Sequence, residues 1–173
     1  AAFGASLNIE TDAVQNNAFA SLSSSIGSFN SLKNTVMFST GKINEAFTFS
    51  GRLSQINSDG YIDRASSDLS AYFFQGTFQD ESTLIKALVF GGQEITYQAY
   101  WGIDAVTLQR DRTYNTAGEI YDENGNRTAF YDNEVDNYNQ EHYQFHWNER
   151  LNSNLNFTLG LNYTHGRGFY CLL

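Results

Sequence analysis

The stretch Asn154 to Thr164, NLNFTLGLNYT, places an apolar side chain on every second residue: Leu155, Phe157, Leu159, Leu161 and Tyr163. Successive side chains of a strand point to opposite faces, so this pattern makes a ribbon with one apolar and one polar face. A helix would scatter the same residues around its circumference. Some ten residues of such alternation is also what a tilted strand needs to cross a bilayer core. The central question is therefore whether the apolar face meets a protein core or lipid.

The same period recurs along the chain. Ala18 to Ile26 puts Ala18, Ala20, Leu22 and Ile26 opposite Ser21, Ser23 and Ser25, with Phe19 on the polar side. Thr35 to Thr40 aligns Val36 with Phe38. Ala46 to Ile56 aligns Phe47, Phe49, Gly51 and Leu53; Leu69 to Phe78 aligns Tyr72, Phe74, Gly76 and Phe78. Leu84 to Gly92 is apolar on both faces, and taking Ile85, Ala87 and Val89 as outward places Lys86 inward. Tyr138 to Asn148 sets Tyr143, Phe145 and Trp147 against His142, Gln144 and His146. With the opening stretch this makes about seven strands, and no Lys, Arg, Asp or Glu falls mid-strand on the apolar face. A charge there costs about 2–4 kcal/mol in lipid, but a soluble core excludes charge as well.

The connectors alternate in length. Gly41–Glu45, Gln79–Ser82 and Glu149–Ser153 are short; Asn57–Ser67 and the polar region from about 93 to 137 are long. The turn near Gly27 is the one short connector on the long side. Outer-membrane barrels are built with short turns at one end and long loops at the other. Tyr61, Tyr97, Tyr100, Trp101, Trp147 and Tyr170 stand near strand ends, where such rings favour a membrane–water interface.

Composition sets outer limits. The 173 residues hold no proline, 14 phenylalanines and 11 tyrosines, with aromatics at 16%; flat rings suit a pleated surface. The net charge of −9 argues against nucleic acid as a partner, because phosphate binding needs a basic excess. No apolar run reaches the length of a membrane-spanning helix, a test to which strands are blind. One cysteine, Cys171, rules out an internal disulfide framework.

Four ordered segments carry a resemblance: Gly27-Ser28-Phe29-Asn30, Ser58-Asp59-Gly60-Tyr61-Ile62-Asp63-Arg64, Thr96-Tyr97-Gln98-Ala99-Tyr100-Trp101, and Tyr131-Asp132-Asn133-Glu134-Val135-Asp136-Asn137-Tyr138-Asn139-Gln140-Glu141-His142-Tyr143-Gln144. Together they resemble the TonB-dependent outer-membrane receptors, particularly those of Bacteroidetes-type bacteria. Gly4-Ala5-Ser6-Leu7-Asn8-Ile9 resembles the last strand of that family's plug domain. The resemblance implies an all-β chain: an antiparallel transmembrane β-barrel fragment, about seven strands of a larger plugged barrel of ~22 strands. Residues 1–15 would end the plug and link it to the barrel, and 16–173 would begin the barrel, with a long extracellular loop at about 93–137.

The resemblance further implies a bacterial outer-membrane location and TonB-dependent uptake of a scarce ligand: an iron chelate, haem, a cobalamin or an oligosaccharide. The implied partners are outer-membrane lipid, that small-molecule or oligosaccharide ligand, and a TonB-type energy-transducing protein reached through a missing N-terminal region. The chain is accordingly expected to be an excerpt of a longer protein, unstable by itself because of two open sheet edges. The rival expectation is a soluble all-β carbohydrate-binding module.

Neither expectation involves catalysis, a cofactor or a resident metal. His142 and His146 lie about 13 Å apart if both are in one strand, too far for one ion. Asp122-Glu123-Asn124-Gly125-Asn126 has its glycine in the fourth place, not the sixth that an EF-hand loop requires. Asn-Gly between Ile120-Tyr121 and Thr128-Ala129-Phe130 instead signals a hairpin. Asp132, Glu134 and Asp136 could coordinate calcium or keep their loop solvated, and solvation is the favoured expectation. Tyr97, Tyr100, Trp101 and Tyr114 are the candidate ligand contacts, with interface anchoring or loop packing as the alternatives.

Overall fold

A computed structural model describes residues 16–171; the expected plug-terminal strand at 4–11 lies outside them. The fold is all-β. Seven strands form one antiparallel sheet in the order β1-β2-β3-β4-β5-β8-β9, and a separate two-stranded ribbon is formed by β6 and β7. The strands are β1 (Ala18–Ile26), β2 (Leu32–Thr40), β3 (Phe47–Ser58), β4 (Ser67–Gln79), β5 (Thr83–Tyr97), β6 (Glu119–Tyr121), β7 (Arg127–Phe130), β8 (Val135–Asn152) and β9 (Leu155–Tyr170). One short helix, α1 (Ala105–Arg110), lies between β5 and β6. Each main-sheet strand pairs with its neighbour in chain order once the α1–β7 excursion is set aside. The sheet does not close; β1 and β9 are its edges.

Seven alternating segments therefore become seven strands, but their lengths differ from the sequence pattern. β5 runs on from Gly92 to Tyr97, β8 begins at Val135, and β9 continues from Thr164 to Tyr170. These extensions are polar or glycine-rich, so hydrophobic alternation is blind to them. They persist because β8 keeps its ladder with both neighbours, from Gly91 opposite Glu141 to Tyr97 opposite Val135, and from Glu141 opposite His165 to Asp136 opposite Tyr170.

Register joins the separate apolar faces into one. Phe38 lies opposite Gly51, Gly51 opposite Phe74, Phe74 opposite Val89, Val89 opposite Tyr143, and Tyr143 opposite Tyr163. The neighbouring row runs Phe49, Gly76, Ala87, Phe145, Leu161. Ile85 falls opposite both Phe78 and Trp147, as the outward assignment of β5 requires. The rings close over the glycines: a Cβ on Gly51 would stand 2.6 Å from Phe38 Cε1 and 2.8 Å from Phe74 Cδ1. Only a residue without a side chain lets those two aromatics approach across β3.

This apolar band slides along the sheet. Phe38 is the lower end of the apolar run of β2, yet its row ends at Tyr163, the upper end of the apolar run of β9. The band therefore runs diagonally across the strands. On β8 it is bounded by Glu141 and Glu149.

Burial is inverted relative to a soluble domain. On β3, Thr48 is 4% exposed and its neighbour Phe49 is 51% exposed. Thr35, Ser39, Gln75 and Thr77 are buried, while Leu22, Leu53, Phe74, Leu161 and Tyr163 are exposed. Among the described residues the buried apolar side chains are Leu88, Tyr97 and Ala117. Only Leu88 belongs to the middle of the sheet, and it sits on the polar face between Gln75 and Gln144.

Candidate functional site

The short connectors, 41–46, 80–82 and 153–154, share one end of the sheet, and the β3–β4 and β5–β8 connectors share the other. Antiparallel order dictates this: once the turns alternate ends, every second connector must meet its counterparts. At the short end Asp80 Oδ1 accepts from the Ser82 and Thr83 N–H groups at 2.8 Å each, and Arg150 donates to the Glu81 carbonyl at 2.8 Å.

At the long end three connectors knit into a cap. The Asp59 N–H donates to the Phe29 carbonyl at 2.9 Å, Asn30 Nδ2 donates to Asp59 at 2.6 Å, and Phe29 meets Tyr61 edge to face. Arg64 then reaches into the long connector. Its guanidinium donates to the Asn115 carbonyl at 2.6 Å and the Ala117 carbonyl at 3.0 Å, and lies 3.6 Å from the Phe130 ring centroid. Asn115 is buried and uses both ends of its amide. Nδ2 donates to the Asp63 and Gln98 carbonyls at 3.0 and 2.9 Å, and Oδ1 accepts from the Ala117 N–H at 3.0 Å. One side chain thus ties three segments with no polar atom left unpaired, which is what makes its burial tolerable.

The long connector is itself structured. Asp104 caps α1 by accepting from the Val106 and Thr107 N–H groups at 2.8 and 2.9 Å, the N-cap role that Asp favours. β6 and β7 form the hairpin signalled by Asn124-Gly125, with Gly125 at φ +78°. The Asp122 side chain is engaged within the turn: its Oδ1 accepts from the Asn124 and Asn126 N–H groups. The Asn126 N–H is the chief cause holding the Asp122 carboxyl below its ordinary range. Among the described residues no three or more His, Cys, Asp or Glu side chains come together as a metal site would require.

The four candidate contact residues part company here. Tyr97 is 8% exposed, and its hydroxyl donates to the Tyr131 carbonyl at 2.6 Å. It is a packing residue of the cap. Tyr114 donates to Glu119 and accepts from Arg127 at 2.8 Å, so it is held in the hairpin base. Tyr100 and Trp101 are exposed and lie against each other at 4.8 Å between centroids. An open recess of about 500 Å3 beside Tyr100 is lined by Thr96, Tyr97, Gln98, Asp136 and Tyr170. Its rings can stack on a flat ligand, while Gln98 and Asp136 supply hydrogen-bonding groups. The contacts that join the cap's framework, Arg64, Asn115, Ala117 and Tyr131, carried no signal in the sequence, since they run to backbone carbonyls of distant segments.

His142 and His146 both stand on the polar face of β8. His142 stacks on Phe90 at 4.6 Å and shares a 2.9 Å hydrogen bond with Thr164; His146 meets Gln144 at 3.4 Å. Each is engaged with its own neighbours rather than with the other.

The Glu119 carboxylate also accepts from Tyr121 at 2.6 Å and lies 3.8 Å from Arg127. Hydrogen bonding to Glu119 is the first cause raising the Tyr114 and Tyr121 pKa values above the ordinary tyrosine range, with burial second. A raised folded-state value stabilises the fold fully below the unfolded value of about 10 and is lost as pH rises through the folded value. The hairpin base is therefore expected to loosen above pH ~10, seen as faster amide exchange at β6 and β7. A Glu119→Gln chain, whose tyrosines lose that shift, should start with less hairpin protection and lose less of it above pH ~10. Identical exchange–pH profiles for the two chains would remove the tyrosine–Glu119 explanation.

Comparison with known proteins found no matching family, no matching curated protein and no matching solved structure.

Proposed function

We propose that this chain is part of an outer-membrane β-barrel of the TonB-dependent receptor type. In it the apolar face meets lipid, the polar face lines the lumen, and the cap lies outside the cell. The observation that carries this reading is the inverted burial. Register joins the apolar faces of seven strands into one band, and on β2, β3 and β4 its side chains Val36, Phe38, Phe49, Leu53 and Phe74 are exposed while Thr35, Ser39, Thr48, Gln75 and Thr77 on the opposite face are buried. A lipid-facing band requires that arrangement, because water excluded from the bilayer core leaves only closed ladders and apolar side chains tolerable there. The diagonal course of the band is a second support. Strands of a barrel are tilted by about 35–45°, so a belt level with the membrane must cross them obliquely. A sheet packed in a soluble sandwich has no such requirement.

On this reading the cap and the recess beside Tyr100 belong to ligand capture at the cell surface. The ligand is a small molecule or oligosaccharide of the scarce kind: an iron chelate, haem, a cobalamin or a glycan. Import is driven by a TonB-type energy-transducing protein. The exposed Tyr100–Trp101 pair equally suits a sugar platform on a soluble carbohydrate-binding module, and the membrane test separates the two.

The chain has two tryptophans, so a Trp101→Phe chain reports on Trp147 alone, at the turn end of the apolar band. Refolded with vesicles containing brominated lipid, Trp147 is expected to be quenched, and the chain to co-float with the vesicles. Unquenched Trp147 on a chain that stays in the aqueous phase as a cooperatively melting monomer would replace the receptor by the soluble module.

A further inference from the structure

Just above the apolar band, at the cap end, the outward face changes character at one place. Gln93, Asn139 and Arg167 are register partners in one row, and Asn137 and Phe169 are partners in the next. Together with Gly168 they line an open recess of about 370 Å3. Gln93 Nε2 donates to Asn137 Oδ1 at 3.2 Å, which orients the pair of amides within it. Arg167 forms no ion pair among the described residues. At this end two carboxylates share the face: Asp68, in the Asn137 row but three strands from β9, and Glu141, one row down on β8, which accepts from the Tyr143 hydroxyl at 3.3 Å. Phe169 is exposed at the rim.

We infer that this recess holds the phosphorylated headgroup of an anionic lipid. The inference rests on the barrel reading, which sets the apolar band at the acyl chains and therefore sets this row at headgroup depth. A guanidinium with several carboxamides offers N–H donors and a positive charge, which together suit phosphate oxygens. The chain is acidic overall at −9, so general attraction would repel such a lipid; binding has to come from this local set. Phe169 would lie beside the first acyl carbons, an interfacial position suited to a ring.

The test is the intact chain refolded in phosphatidylcholine vesicles containing a minor share of lipid A, then released and its retained lipid counted by native mass spectrometry. Arg167→Ala is expected to lower lipid A retention about ten-fold, as loss of a charge-assisted contact predicts. Arg52→Ala, which removes a cation from the opposite face, is expected to leave retention unchanged. Equal retention by Arg167→Ala and the unaltered chain would overturn the site. So would displacement of lipid A by inorganic phosphate at equimolar concentration, because the recess would then recognise free phosphate rather than a headgroup. Insertion is read separately from Trp147 quenching: a chain that inserts but retains no lipid A sinks this site alone, and one that stays in the aqueous phase as a cooperatively melting monomer sinks both readings.

Discussion

Leu161→Arg is expected to abolish stable insertion of the sheet into a bilayer, while Asn162→Arg, one residue on, is expected to insert nearly as the unaltered chain does. Leu161 is exposed on the apolar face opposite Phe145, the middle residue of the outward run of β8. Asn162 lies opposite Gln144 on the other face, which already carries Arg52 and Lys86. An arginine facing the hydrocarbon midplane costs about 2–4 kcal/mol, and a lumen-facing one costs far less. Urea titration of folding in short-chain phosphatidylcholine vesicles measures both, with a much lower midpoint for Leu161→Arg. Equal midpoints would mean that the apolar face does not meet lipid. The comparison is strict because neighbouring residues of one strand differ in little except the face they occupy.

Arg64→Ala is expected to unfasten the cap while leaving the seven-stranded sheet intact. The substitution removes two charge-assisted hydrogen bonds to the Asn115 and Ala117 carbonyls and the stack on Phe130. It leaves the Asn115 carbonyl without that partner and the Ala117 carbonyl with only the Tyr97 hydroxyl at 3.4 Å. Charge-assisted bonds of this kind and a cation–π stack amount to about 2–4 kcal/mol of local stability for a half-buried group. Amide exchange should therefore quicken about a hundred-fold at Asp63 and Tyr131, whose N–H groups donate to Thr113 and Gly118, without change in β3 and β4. Arg64→Lys should not restore protection, because one ammonium cannot span both carbonyls and stack on the ring. Unchanged exchange in the cap would show that Asn115 suffices without Arg64.

The hairpin at Asn124-Gly125 was legible because its signal is local: two residues of suitable turn chemistry between two apolar pairs. The strands were legible because their period is local as well. β1 matches its expected bounds, Ala18–Ile26, even with Phe19 on the polar face opposite Ser39. The strand ends were not legible, since Gly166, Arg167 and Gly168 carry no alternation and are held in β9 by the ladder to β8. Nor were the different fates of Tyr97 and Tyr100. They are three residues apart in similar surroundings, yet one hydroxyl is fixed to the Tyr131 carbonyl and the other ring is exposed.

The sequence by itself determined that the chain is all-β, which residues share a face, in what order short and long connectors alternate and that the outward strand centres carry no charge. Each of these follows from a period of two residues and the cost of misplacing a polar group. Tertiary structure alone decided that the faces of seven strands align into one diagonal band, that on β2, β3 and β4 the polar face is the buried one, and that Arg64 and Asn115 close a cap over the long end. Those depend on register and on contacts between segments some fifty residues apart, such as Arg64 with Asn115. No local pattern encodes which distant carbonyl a side chain will meet.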